Sequence, residues 1–192
     1  MSVEENRTRK SMLLHSCCGP CSTAVITRLI PDYRITLFFY NPNITDAGEY
    51  GLRRDEQRRF LEEFSREKSV SIAFLEGDSH AEIFFDAVQG LEDEPEGGRR
   101  CEACFSLRLT ETAAQAAAGG YDCFDTTLSV SPHKDYDAIV RIGQNLARAY
   151  SVPFAGGNYK KKNGFAESVT LSERYGLYRQ SYCGCDFSRR DR

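Results

Sequence analysis

Seven of the eight cysteines in this sequence fall into three tight groups, and thiols spaced this way suit metal or redox chemistry. The first group is Leu13-Leu14-His15-Ser16-Cys17-Cys18-Gly19-Pro20-Cys21, an apolar run, two adjacent cysteines, a Gly-Pro turn and a third cysteine. The second is Cys101-x-x-Cys104 and the third is Cys183-Gly184-Cys185. Cys18-Gly19-Pro20-Cys21 alone has the spacing of a thioredoxin-like dithiol at a helix start, where the helix dipole lowers a thiol pKa. A dithiol oxidoreductase needs only two of these cysteines. One tetrahedral zinc site needs four thiolates and would leave three unused. A cubane [4Fe–4S] cluster also takes four, and three ligands then remain for one further metal. The working expectation is that the groups converge on the first turn and build a metal site. Cys123 stands alone inside a predicted strand and reads as core, since free cysteine is commonly buried.

Other residues with chemical potential are fewer. His15 precedes the cysteines and is a candidate catalytic proton donor or a hydrogen-bond donor to thiolate; His133 is a second candidate donor. Asp186 follows the last cysteine and reads as a metal ligand or a salt-bridge partner. Lys160-Lys161-Lys162, flanked by glycines, could cradle phosphates, as could Arg174, Arg179, Arg189 and Arg190. Tyr159, Tyr175, Tyr178 and Tyr182 could stack on bases or anchor in the core. Arg53, Arg54, Arg58 and Arg59 alternate with Glu on a predicted helix and read as a solvated face.

The elements that must position these groups alternate. Strands are predicted at Met12–His15, Ile35–Tyr40, Val70–Leu75, Tyr121–Leu128 and Pro153–Ala155. Helices are predicted from Ser22 to Leu29, from a capping box at Asp46/Glu49 to about Lys68, after a capping box at Ser79/Glu82, from Cys101 to Gly119, from a Ser131-Pro132 cap to Tyr150, and over Phe165–Arg174. Glu92–Arg100 reads as an exposed, mobile loop. This order predicts a Rossmann-like, doubly wound parallel α/β sheet of about five strands with helices on both faces. Ligands in such sheets sit outside the carboxyl ends of the strands, where the first cysteine turn falls. The turn carries neither a Walker loop nor a G-x-G-x-x-G, which disfavours nucleotide hydrolysis.

Size and charge bound the rest. The chain has 192 residues, room for one sizeable core: residues 1–10 are expected to be a flexible N-terminus and 11–192 one metal-binding domain. No apolar run approaches a membrane span, and no secretory leader is recognised, so the expected location is cytoplasmic, with no membrane partner. In that compartment clustered thiols suggest metal or redox use rather than disulfides. A net charge of −3 excludes a uniformly basic coat but not a local basic face for nucleic acid.

Taken together, the first cysteine motif, Phe39-Tyr40-Asn41-Pro42-Asn43-Ile44, Arg100-Cys101-x-x-Cys104, and Tyr178-Arg179-Gln180-Ser181-Tyr182-Cys183-Gly184-Cys185 resemble the epoxyqueuosine reductase QueH family over about residues 11–188. The resemblance implies a HUP-type Rossmann-like fold and a [4Fe–4S] cluster beside a single mononuclear iron held by cysteines and a carboxylate. It also implies cobalamin-independent reduction of epoxyqueuosine to queuosine in the anticodon loop of tRNAs for Asp, Asn, His and Tyr, the last step of queuosine biosynthesis. An electron donor outside the chain is required. The family position of Cys21 is Cys or Asp, and here it is Cys. The seven ligands are then Cys17, Cys18, Cys21, Cys101, Cys104, Cys183 and Cys185. One of Cys17/Cys18, both Cys101 and Cys104, and one of Cys183/Cys185 are expected on the cluster. The remaining members join Cys21 on the iron, where Cys21 and His15 would be catalytic. Lys160, Lys161, Lys162 and Arg179 are the candidate tRNA contacts. A zinc-bound RNA-binding module without catalysis and a thiol-disulfide or sulfur-transfer enzyme are the readings from other classes.

Overall fold

The strand that feeds the first cysteine turn, β1 (Lys10–Ser16), is the hinge of the architecture. A computed structural model describes residues 9–190. In chain order β1 is followed by α1 (Gly19–Leu29), β2 (Tyr33–Phe39), α2 (Ala47–Lys68), β3 (Ala73–Glu76) and α3 (Ala81–Ala87). Then come α4 (Arg99–Ala118), β4 (Cys123–Thr126), a 3-10 turn (Thr127–Val130), α5 (Tyr136–Tyr150), α6 (Gly164–Arg174) and α7 (Asp186–Arg190). The sheet order is β3-β2-β1-β4, all parallel. The chain winds one way from β1 through β2 to β3, then crosses back to β4 on the other side of β1. The direction of winding therefore reverses beside β1, and the loop leaving its carboxyl end opens into the crevice that such a reversal creates.

Both faces of the sheet are covered, as doubly wound sheets require. Met12 and Leu14 of β1 pack with Val25, Ile26 and Leu29 of α1 and with Phe60, Leu61 and Phe64 of α2. Leu13, between them in sequence, faces Ala113 and Ala116 of α4 on the opposite side. The alternation is the two-residue repeat of a strand. Cys123 on β4 is buried in the first of these layers and is core, as expected.

Several local expectations are corrected. The N-terminal boundary moves: β1 already begins at Lys10, and residues 1–8 of the expected flexible segment lie outside the described residues. The fourth strand is shorter than Tyr121–Leu128, because Thr126 caps a 3-10 turn by accepting from the Leu128 N–H. Pro153–Ala155 contributes only one parallel bridge, Phe124 to Phe154, so four strands form where about five were expected. Ser131-Pro132 does not cap α5. Asp135 does, its carboxylate accepting from the N–H groups of Asp137 and Ala138, so the helix starts four residues later. The capping box at Asp46 forms, with Asp46 accepting from the Glu49 N–H. The one at Ser79 does not, because the Ser79 hydroxyl accepts from the Asn41 N–H and ties the β3–α3 connection to the end of β2. Arg100, placed by the sequence in an exposed loop, is buried at the start of α4, with its guanidinium bonded to the Glu92 and Glu94 carbonyls.

Candidate metal centre

Each cysteine group sits where the backbone turns. Cys17 and Cys18 leave the end of β1, and Cys18 is the extended N-cap of α1. Pro20 fits the first turn of that helix because its missing N–H would have no intrahelical partner there. Cys21 follows one residue later, so the sulfurs of Cys17, Cys18 and Cys21 all lie within 4.8 Å of one another. Cys101 and Cys104 occupy the first two turns of α4, three residues apart and hence on one face. The Cys101 sulfur accepts from the Gly97 N–H at 3.2 Å.

The third group needs a special backbone. Gly184 has φ +120, a region L side chains rarely adopt, and a Cβ there would stand 2.8 Å from Ile44. This bend brings the sulfurs of Cys183 and Cys185 within 3.5 Å. The segment is fastened to the β2–α2 connection and to α2. The Thr45 N–H donates to the Gly184 carbonyl, and the Thr45 hydroxyl donates to Asp186 at 2.7 Å. Among the described residues Asp186 accepts this hydroxyl and forms no ion pair, so of its two expected roles the salt bridge is not seen there. Arg53, 1% exposed, donates to the carbonyls of Cys183 at 3.0 Å and Tyr182 at 3.1 Å and pairs with Glu49. The reading of Arg53 as part of a solvated face is thus wrong: it is the buried strut of the thiol tail. Arg59 on the same helix donates to the Tyr175 and Gly176 carbonyls. Arg54 and Arg58 do reach Glu76 at the surface.

Folding brings the three groups to one cavity. Cys21, Cys101, Cys104, Cys183 and Cys185 line a space of about 530 Å³. Cys17 and Cys18 are buried beside them, and Gln180, also on the wall, donates to the Cys18 sulfur at 2.9 Å. Two cations flank the thiols: Arg108, 3% exposed, and half-buried Lys134. Burial works against both charges, and the neighbouring sulfurs outweigh it: Cys104, Cys17, Cys183 and Cys101 for Arg108, Cys17 and Cys21 for Lys134. Cys17 is held well below the ordinary thiol range, first by hydrogen bonds from Cys18 and Cys21 and then by these two cations. Cys18 is pushed up to about 11 and Cys21 is also raised, each chiefly because it shares hydrogen bonds with its neighbouring thiols. Cys183 is lowered by a hydrogen bond from Cys185, which rises in turn, and burial lifts Cys104 to about 11. Cys17 and Cys183 are thus the thiols most inclined to ionise, and a metal would displace the protons that remain on the group.

The donor set fits a tetrahedral thiolate-bound metal, iron or zinc. Sulfurs bound to one tetrahedral ion at ~2.3 Å stand ~3.8 Å apart, and Cys17 and Cys18 are already 3.9 Å apart. Four further thiols on one cavity wall match the ligand number of a cubane cluster.

The remaining candidates are placed less simply. His15 is fully buried under the turn, with Nδ1 2.9 Å from the Thr126 hydroxyl and Nε2 3.1 Å from the Tyr40 carbonyl. Burial lowers its pKa to about 3, with Arg108 adding to the effect, so the ring is neutral. Nε2–H then donates to Tyr40 and Nδ1 accepts from Thr126, and neither ring nitrogen is left to serve the cavity. His133 and Arg179 do line the cavity. Lys160 donates to the carbonyl of Lys134 at 2.9 Å, while Lys161 and Lys162 are exposed. Arg174 bonds Glu67, and Arg189 bonds Asp46 and the Tyr182 hydroxyl; the Arg190 side chain lies outside the described residues. Tyr159 and Tyr175 are core, whereas Tyr178 is exposed and Tyr182 half-buried. Arg53, Arg108 and Lys134 were missed as site residues. An isolated arginine or lysine gives no local signal of burial, and only the Arg108 spacing of one helical turn from Cys104 hinted at its place.

Fold and site together define a class: a parallel α/β protein with a polythiol crevice, able to hold metal, at the carboxyl end of its central strand. The chain belongs to the epoxyqueuosine reductase QueH family, whose sequence profile matches residues 12–191. A Streptococcus pyogenes relative named epoxyqueuosine reductase QueH is 39% identical, over 96% of this chain and 72% of its own length. The Thermotoga maritima protein of the same name is 37% identical over 93% of this chain and 90% of its own length. That of Staphylococcus epidermidis is 36% identical over 96% and 79%.

Proposed function

We infer that this chain is an epoxyqueuosine reductase, an oxidoreductase that converts epoxyqueuosine in the tRNA anticodon loop to queuosine. The observation that carries the reading is the gathering of seven thiols from three distant segments at one crevice, in a chain that the family profile matches over residues 12–191. Reducing an epoxide to an alkene consumes two electrons and two protons and releases its oxygen as water. The seven cysteines would hold a [4Fe–4S] cluster and one further iron. When bound, these supply single electrons and a Lewis acid for oxygen. The mutual approach of Cys17, Cys18 and Cys21 favours these three as the ligands of the single iron, with Cys101, Cys104, Cys183 and Cys185 left for the cluster. This assignment replaces the expected sharing of each outer pair between the two centres.

The protein's own groups have separable tasks. Gln180 orients Cys18, and Arg53 holds the tail thiols in place. Arg108 offsets the charge of the thiolates from within the wall. Lys134 stays protonated there, and its Nζ is a proton-bearing group at the cavity where sealed His15 is not. His15 positions β1 against Tyr40 and Thr126. The substrates on this reading are the tRNAs for Asp, Asn, His and Tyr, met in part by Lys160–Lys162 and Arg179. The reducing equivalents come from a donor outside the chain. The activity belongs in the cytoplasm, where thiols stay reduced.

The test is anaerobic purification with reconstitution, followed by iron and sulfide counts and turnover. About five irons and about four sulfides per chain are expected. Epoxyqueuosine-containing tRNA treated with the protein and a low-potential reductant should yield queuosine by nucleoside mass. One zinc without sulfide would instead support the RNA-binding module, and activity surviving loss of Cys101 and Cys104 would support the dithiol reading.

A further inference from the structure

Cations gather at the cavity of a protein of net charge −3: Arg100, Arg108, Lys134 and Arg179 line it beside the thiols, with one carboxylate, Glu96. Two of these, Arg100 and Arg108, are buried in the wall. Arg179 is exposed at the mouth. Beside it stands Phe165, which lines the same cavity and leaves 38% of its surface open to water. The Arg179 guanidinium lies 5.9 Å from the centre of the Phe165 ring, and its NH1 donates to Ser172 at 3.2 Å, so the pair is held as a unit on α6. The Lys160–Lys162 loop adjoins this rim. Lys160 bonds the backbone of Lys134, and Arg28 gathers the carbonyls of Lys161 and Lys162 while pairing with Glu167 of α6. An exposed aromatic face bounded by ordered cations is the arrangement that receives an unstacked base and its phosphates. The volume of about 530 Å³ behind it is in the range of small-molecule pockets, roughly 300–1,000 Å³.

We propose that Phe165 is the stacking platform for a nucleobase of the anticodon loop at the cavity mouth, with Arg179 meeting the adjoining phosphate. This deepens the reading of the same site: it says how the RNA places its modified nucleoside over the thiols.

The test uses the reconstituted full chain and a fluorescently labelled anticodon stem-loop RNA. Phe165→Ala should bind the RNA at least fivefold more weakly, since stacking contributes ~1–3 kcal/mol per base, while iron and sulfide content stay at the parent level. Phe165→Tyr should keep the affinity, because it keeps the face. Arg179→Gln should reduce the slope of log affinity against log salt by about 0.7, the loss of one phosphate contact. Leu52→Ala, an exposed apolar residue on α2 outside the cavity, serves as the neutral control. If Phe165→Ala loses its metal, Phe165→Tyr and Arg179→Gln decide the question alone. Unchanged RNA affinity in Phe165→Ala, or an unchanged salt slope in Arg179→Gln, overturns the proposal and leaves the ring to a protein partner or to packing. RNA binding that depends on Phe165 without epoxyqueuosine turnover would sustain the platform and defeat the proposed reaction. Turnover with affinity indifferent to Phe165 would do the reverse.

Discussion

At the scale of single residues, the informative contrast is between cysteines that share a type but not a setting. Cys21 lies in the trio whose sulfurs are within 4.8 Å, whereas Cys104 lies on the cavity wall in the second turn of α4. Cys21→Ser should therefore lower iron by about one atom per chain and leave sulfide near the parent value. Cys104→Ser should lower both and remove the visible absorption of the cluster. Colorimetric iron and sulfide assays on reconstituted protein read the difference; equal losses from both variants would contradict the assignment of ligands. Cys123→Ser should change neither quantity, because that sulfur is packed in the core, outside the thiol cavity, and donates to the Ser11 carbonyl at 3.9 Å.

At the scale of elements, α2 and the C-terminal segment act as one unit. Glu49, Arg53, Glu56 and Arg59 all bond groups between Tyr175 and Cys183, so one face of a surface helix carries the last two thiols. The Arg53–Glu49 pair is nearly sealed, with side-chain exposures of 1% and 10%. Removing one member of such a pair leaves an uncompensated charge and costs ~3–5 kcal/mol. Arg53→Ala should lose stability on that scale in urea unfolding. It should also speed amide exchange in 182–185 and deplete sulfide along with iron. Arg53→Lys should recover only part of this, since an ammonium cannot span two carbonyls as the guanidinium fork does. Normal exchange at 182–185 in Arg53→Ala would show that the segment is held by Thr45 and Asn43 instead.

At the scale of the whole molecule, a buried charge links sheet, basic loop and stability. Asp125 of β4 is 1% exposed and accepts from the Tyr159 hydroxyl at 2.6 Å and from the N–H groups of Gly157 and Thr126. It thereby pins the segment that leads into Lys160–Lys162. Burial raises its pKa to about 6 despite these three donors. The folded state thus binds a proton that the unfolded chain, near pKa ~3.9, does not. The contribution of this group is greatest below pH ~4, falls as pH rises to about 6, and is level above, a loss of ~3 kcal/mol across the window. In metal-free protein, Asp125→Asn should remove this component: its stability relative to the parent should rise between pH 4 and 6 and then stay constant. Urea melts across pH 4–7.5 measure it, and a parallel pH dependence in the two proteins would refute it.

The sequence by itself determined the order of strands and helices, because a strand such as Ile35–Phe39 and a helix such as Ala47–Lys68 announce themselves through local periodicity and capping. It also placed one group of thiols together, since short-range spacing is a chain property: Cys17, Cys18 and Cys21 are brought within 4.8 Å by a single turn. Strand ends and caps were less legible. Thr126 takes the Leu128 N–H that a longer strand would have used, and Asp135 caps the Asp137 and Ala138 N–H groups while Ser131 accepts only from the His133 N–H, so tertiary fit decides where each element begins or ends. Only the tertiary structure decided which cations are buried. Arg53 and Arg54 are neighbours on one helix, but the 100° step between them turns the first under the thiol tail and leaves the second at the surface. It alone set His15 beneath the site instead of in it. It also joined residues 17–21, 101–104 and 183–185 around one cavity, because winding reverses at β1 and no local pattern records which distant segments a crevice gathers.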